Sequence, residues 1–132
     1  MGTRSTTTFI NEYDGKPMAT CYKQCDGYPS GYGQDLADFL SGKTLVNGFS
    51  IGDTIETRFN GMGCLAAAVI AHFKTGIGEY YLTSTGDEQE YNYTVYEKDG
   101  KIHLKVVTGD YHDKETLYDG LAEGYDSALI EN

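Results

Sequence analysis

Residues 91–107 read YNYTVYEKDGKIHLKVV, and this stretch decides the fold class. In its second run Ile102, Leu104 and Val106 fall to one side, and His103 and Lys105 to the other. Tyr91, Tyr93 and Val95 of the first run join the apolar side. A period of two is the mark of a half-buried strand. Asp99 and Gly100 stand between the runs, and a DG pair supplies the positive φ angles that a two-residue hairpin turn requires. The stretch reads as a β-hairpin with one face in the core.

Working outward, residues 79–84 read as another strand, followed by a polar turn at 86–88. Before it, residues 62–74 (MGCLAAAVIAHFK) are alanine-rich, end on His72 and Lys74, and have Gly76 just beyond, which are helix-forming and helix-stopping signals. That segment is apolar almost all round and is expected to be a buried central helix. Residues 6–13 and 18–23 flank an Asp14-Gly15 turn and form a first hairpin. Residues 34–40 carry Leu36, Phe39 and Leu40 at helical spacing and predict a short second helix. Residues 43–59 are broken by glycines and read as irregular or as a short strand; residues 116–123 read as a last strand, and 125–131 as a terminal turn of helix. Strands in antiparallel runs with helices between them imply an α+β fold: an antiparallel sheet of about five to six strands, two layers, and one domain over residues 1–132.

Composition narrows the function classes. Tyrosine supplies 12 of the 17 aromatic residues and tryptophan is absent, so the apolar content comes largely as rings with a polar tip. The net charge is −10, and residues 77–132 hold thirteen acids against four bases, whereas residues 1–76 hold seven against six. Such a balance argues against direct nucleic-acid binding, which needs clustered Lys and Arg. No apolar run approaches the roughly 18 residues of a membrane span, and the opening residues lack an apolar leader core, so no membrane association is expected. Cys21, Cys25 and Cys64 leave an odd count with no CxxC pair, as in a reducing compartment.

Chemistry-bearing patterns are few. His72, His103 and His112 fall in different elements at no ligand spacing, and the acids Asp110, Asp113 and Glu115 lack the pattern of a calcium loop, so neither metal nor cofactor is expected. No nucleophile and base arrangement points to catalysis. The most unusual local composition surrounds the loop DGYPSGYG at residues 26–33. Arg4, Tyr22, Lys23, Asp26, Gly27, Tyr28, Pro29, Gly31, Tyr32 and Gly33 gather two cations, three tyrosines and three glycines, a set able to stack a planar ring and hold a phosphate or carboxylate. The alternative is that the tyrosines pack the loop onto the hairpin while Asp26 caps its turn.

The segments MGTRSTTTF and YKQCDGYPSGYG together resemble a family of small, uncharacterised phage and prophage proteins, which begin with an [ST]RS[TL] segment and carry a DGYPxGxG loop after a short hairpin. The resemblance covers about the first 40 residues, with Cys25 where the pattern often has an aromatic and Tyr32 where it often has His. It implies a viral or prophage origin and the cytoplasm of an infected or lysogenic host cell. The expected function is that of a non-enzymatic binding module for a small anionic, nucleotide-like ligand, used to counter host defence. The rival is an acidic inhibitor or nucleic-acid mimic directed at a host protein. Self-association fits both.

Overall fold

The computed structural model describes residues 2–109 and 114–130. The Asp110, His112 and Asp113 readings lie outside the described residues, as does Glu131. Strands β1 (Ser5–Ile10) and β2 (Pro17–Lys23) form the first hairpin, and a π-helical turn (Pro29–Gly33) leads into helix α1 (Gln34–Leu40). Short strands β3 (Thr44–Val46) and β4 (Arg58–Asn60) bracket a long loop, helix α2 (Gly61–Phe73) follows, and strands β5 (Tyr80–Thr83), β6 (Tyr91–Lys98), β7 (Lys101–Thr108) and β8 (Thr116–Leu121) complete the sheet. The chain ends in 3-10 turns at Ala122–Gly124 and Ser127–Leu129. The fold is α+β, as the alternation predicts.

Six strands make one sheet in the order β5-β2-β1-β6-β7-β8, while β3 and β4 pair separately and parallel. The β6–β7 hairpin has the expected register, Lys98 opposite Lys101, with Asp99 and Gly100 at φ 54° and 76°. The sheet is mixed rather than wholly antiparallel, because β1 and β6 run parallel, Ser5 beside Tyr91 and Phe9 beside Val95. The cause is the route from β5 to β6. Thr83 lies in the same row as Thr94, yet the chain re-enters the sheet at Tyr91, level with Tyr80. Residues 84–90 must therefore run back over β2 and β1. Thr85 bonds Thr20 across 2.9 Å and Thr6 donates to Asn92 at 2.7 Å, so this crossover lies on the face opposite the helices and buries Thr6 and Thr20.

The core occupies the other face. Phe9, Cys21, Tyr93, Val95, Leu104 and Val106 point inward from the strands and meet Leu36 and Leu40 of α1 and Met62, Leu65 and Val69 of α2. Burial of α2 is one-sided rather than complete: Gly63, Ala67 and Ala71, spaced four apart, are exposed. Their side chains are so small that facing water costs little, and an apolar sequence does not imply burial all round. Lys74, at the end of α2, donates to Tyr80 O at 2.8 Å and so anchors the segment leading into β5.

Asn92 is the pin of the crossover. Its amide donates to Gln89 O and Gly109 O at 2.9 and 3.1 Å, and its oxygen accepts from Gln89 N and Thr6 Oγ1. Asn92→Ala removes all four bonds and is expected to lower stability by about 1–3 kcal/mol in urea unfolding, with faster amide exchange at Gln89.

Candidate functional site

The loop at residues 26–33 folds inward. Asp26 takes a left-handed φ of 58° and its carbonyl, not its carboxylate, accepts from Tyr32 N at 3.0 Å. That reversal drives the Tyr32 ring into the core, where it is 1 % exposed. Its hydroxyl sits between Thr7 Oγ1 at 2.7 Å and Tyr80 Oη at 2.8 Å. The ring meets Phe73 and Tyr93 edge-on at 5.0 and 5.4 Å. Two more tyrosines bond the loop backbone: Tyr93 donates to Gly27 O at 2.7 Å and Tyr125 to Pro29 O at 2.8 Å. A Cβ on Gly33 would stand 2.5 Å from the Tyr125 hydroxyl and 2.8 Å from that of Tyr93, so glycine is required there by proximity.

The ten residues singled out in the sequence are therefore neighbours along the chain without lining one cavity. Gly27, Pro29, Tyr32 and Gly33 are buried, and Gly31 lies beneath the Tyr28 ring. Tyr22 and Lys23 end β2 on opposite faces: Tyr22 stands beside Tyr81 with ring centroids 6.2 Å apart, and Lys23 Nζ reaches 5.9 Å from the Tyr32 centroid. Arg4, Asp26 and Tyr28 remain at the surface. Stacking of a ligand on Tyr32 is corrected by this geometry, since its ring and hydroxyl are fully engaged with protein.

The titration behaviour agrees with a structural role. Burial pushes Tyr32 and Tyr80 well above the ordinary tyrosine range, the bond from Thr7 only partly offsetting it for Tyr32. Burial likewise raises Cys21, partly offset by its bond with Tyr80, which leaves it a poor nucleophile. Burial, and then the adjacent Asp119 carboxylate, push Tyr96 up to about 12.

A different place has the shape of a site. On the outer face Thr83, Thr20, Thr8 and Thr94 lie side by side across β5, β2, β1 and β6, and Lys105 of β7 and Asp119 of β8 continue the row. A depression of about 370 Å³ lies beside the crossover, floored by Thr8, Thr94, Lys105 and Val107 and walled by Gly86, Asp87 and Glu88. Its rim acids are engaged: Asp87 accepts from Thr83 Oγ1 at 2.8 Å and Gln89 Nε2 at 3.2 Å, and Glu88 pairs with Lys114 at 2.7 Å. Lys105 is half-buried and has no carboxylate partner among the described residues. The sequence placed Lys105 on a wet hairpin face but missed its setting. The available signal was threonine recurring in the polar phase of successive strands, at residues 6, 8, 20, 83 and 94. Among the described residues no group of three His, Cys, Asp or Glu side chains is placed to hold a metal, and no helix is long and apolar enough to cross a membrane.

No protein-family model matches the chain, and neither a curated protein nor a solved structure is significantly similar to it.

Tyr32→Phe takes the Tyr32 partner from the Thr7 hydroxyl and leaves the Tyr80 hydroxyl with Cys21 alone, and is expected to cost about 1–3 kcal/mol. Ser5→Ala removes a buried hydroxyl that has no hydrogen-bond partner and is expected to leave stability unchanged or raise it, by up to about 1–3 kcal/mol. Thermal and urea unfolding of both variants measure the contrast. Because Tyr32 and Tyr80 ionise more readily in the unfolded chain, the stability they contribute is intact below pH ~10 and is lost as pH rises beyond it. Urea titrations from about pH 8 to about pH 11, across the ordinary tyrosine value, are expected to show that decline, with a shallower slope in Tyr32→Phe.

Proposed function

We propose that the chain is a non-enzymatic binding module that takes a small polar ligand carrying an anionic group into the depression beside the crossover. The observation that carries this reading is Lys105, a half-buried ammonium without a carboxylate partner among the described residues, set among threonine hydroxyls while the rim acids are already bonded. Hydroxyls and an ammonium together complement a phosphate or carboxylate. The depression, 370 Å³ in volume, falls in the range of small-ligand sites, about 300–1,000 Å³. The overall charge of −10 opposes the approach of an anion, but salt screens it beyond about 8 Å at physiological strength, so local contacts govern the bound state. The phage-type resemblance supplies a setting: an accessory protein in an infected cell, with a nucleotide-like defence signal as the ligand.

A second reading rests on a separate surface. Asp35 and Asp38 of α1 and Glu123 and Asp126 of the terminal turns are exposed, belong to elements that pack together, and have no ion pair among the described residues. A basic host protein is the partner such a surface fits.

The readings separate in one experiment. A panel of nucleotides and sugar phosphates is expected to raise the melting temperature of the chain, since a ligand that binds only the folded state stabilises it, and Lys105→Ala is expected to abolish that shift. If no compound raises it, while a host protein is retained at low salt and released at high salt, the acidic surface carries the function.

A further inference from the structure

The loop between β3 and β4 exposes large apolar side chains and holds them in place. Phe49 is 72 % exposed, Ile51 fully exposed and Ile55 about half exposed. Their backbone is fixed: Ser50 N donates to the Asp53 carboxylate at 2.9 Å, Asp53 N to Ser50 O at 3.1 Å, and Gly48 N to Asn60 Oδ1 at 2.7 Å. Holding three such side chains in water within seven residues forfeits burial energy, and ordered apolar exposure of this kind marks a contact surface. Phe49 and Ile55 also form one side of an apolar groove of about 230 Å³, lined further by Val46, Arg58 and Cys64. Next to Cys64 begins the exposed small-residue line of α2, Gly63, Ala67 and Ala71, over which another chain can approach closely.

We infer that this surface binds a second copy of the chain in a two-fold contact. Charge selects the occupant. Residues 43–76 hold three bases and two acids, against three and five in residues 1–42 and four and thirteen in residues 77–132. Two copies of a chain of net −10 therefore repel least where this stretch meets its own counterpart. The lining of the groove holds one acid and one base, Asp53 and Arg58, 3.8 Å apart. A two-fold axis through it sets Arg58 of each copy toward Asp53 of the other, so the charges complement each other across the contact. Shape agrees: the patch bears both a projection, Phe49 and Ile51, and a groove, which a two-fold contact engages twice. This surface is separate from the depression at Lys105.

Sedimentation equilibrium of the full chain over a concentration series tests the inference, alongside the alkylation rate of Cys64 in a Cys25→Ser background. Cys21 is buried, so Cys64 is then the reporting thiol. The expected result is a reversible species of twice the 14.5 kDa chain mass, with Cys64 alkylation slowing as the dimer fills. Ile51→Asp is expected to raise the dissociation constant by about thirtyfold or more, the loss typical of a central contact residue, and to restore fast alkylation. Ile51 touches no core, so the far-UV spectrum of the variant is expected to match the parent and to separate lost contact from misfolding. A chain that stays monomeric throughout overturns the inference, even if the patch captures some other protein. So does a dimer that Ile51→Asp leaves intact with Cys64 unprotected.

Discussion

A tyrosine hydroxyl taken out of water needs partners inside the protein, and the position of the Tyr32 hydroxyl fixes much of this molecule. It is bonded to Thr7 of β1 and to Tyr80 of β5, and its ring touches Phe73 at the end of α2 and Tyr93 of β6. One side chain thus joins the sheet at three strands and ties the helix layer to them. The same loop is held by the hydroxyls of Tyr93 and Tyr125 on its carbonyls. Tyrosine is suited to this work because the ring supplies apolar area while its tip satisfies a backbone group that would otherwise be buried unpaired. Four of the twelve tyrosines, Tyr32, Tyr80, Tyr93 and Tyr125, serve in this arrangement.

Locking the loop inward leaves recognition to the outer faces. The crossover between β5 and β6 covers part of the sheet opposite the helices, and in doing so creates the wall of a depression whose floor would otherwise be a flat polar surface. The rim is held by Thr83, Gln89 and Lys114 on the two acids, so the charge that remains uncommitted on the floor is positive although this half of the chain is strongly negative. The loop between β3 and β4 presents the opposite chemistry, apolar and close to neutral. Each surface follows from where the backbone is pinned by local hydrogen bonds.

Local pattern made several elements legible. The 91–107 hairpin follows from a period of two and a DG turn, α1 from Leu36, Phe39 and Leu40, and α2 from an alanine-rich run ending on Lys74. Those signals involve residues within one turn or one strand of each other. The inward course of DGYPSGYG was not legible, because aromatic rings among glycines fit a ligand wall as well as a packed loop. What separates the two is the partner of the Tyr32 hydroxyl, which lies 25 residues away in one direction and 48 in the other. The full burial expected of α2 failed for a related reason: alanine and glycine are apolar enough for a core and small enough for a surface.

By itself, the sequence determined an α+β chain of alternating strands and two helices, because periodicity and turn chemistry act between near neighbours. Tertiary structure alone decided that β1 and β6 run parallel, that Tyr32 points inward, and that Lys105 lies in a walled depression. Each of these depends on which distant segment comes to lie beside which, and pairing of that kind leaves little trace in local spacing.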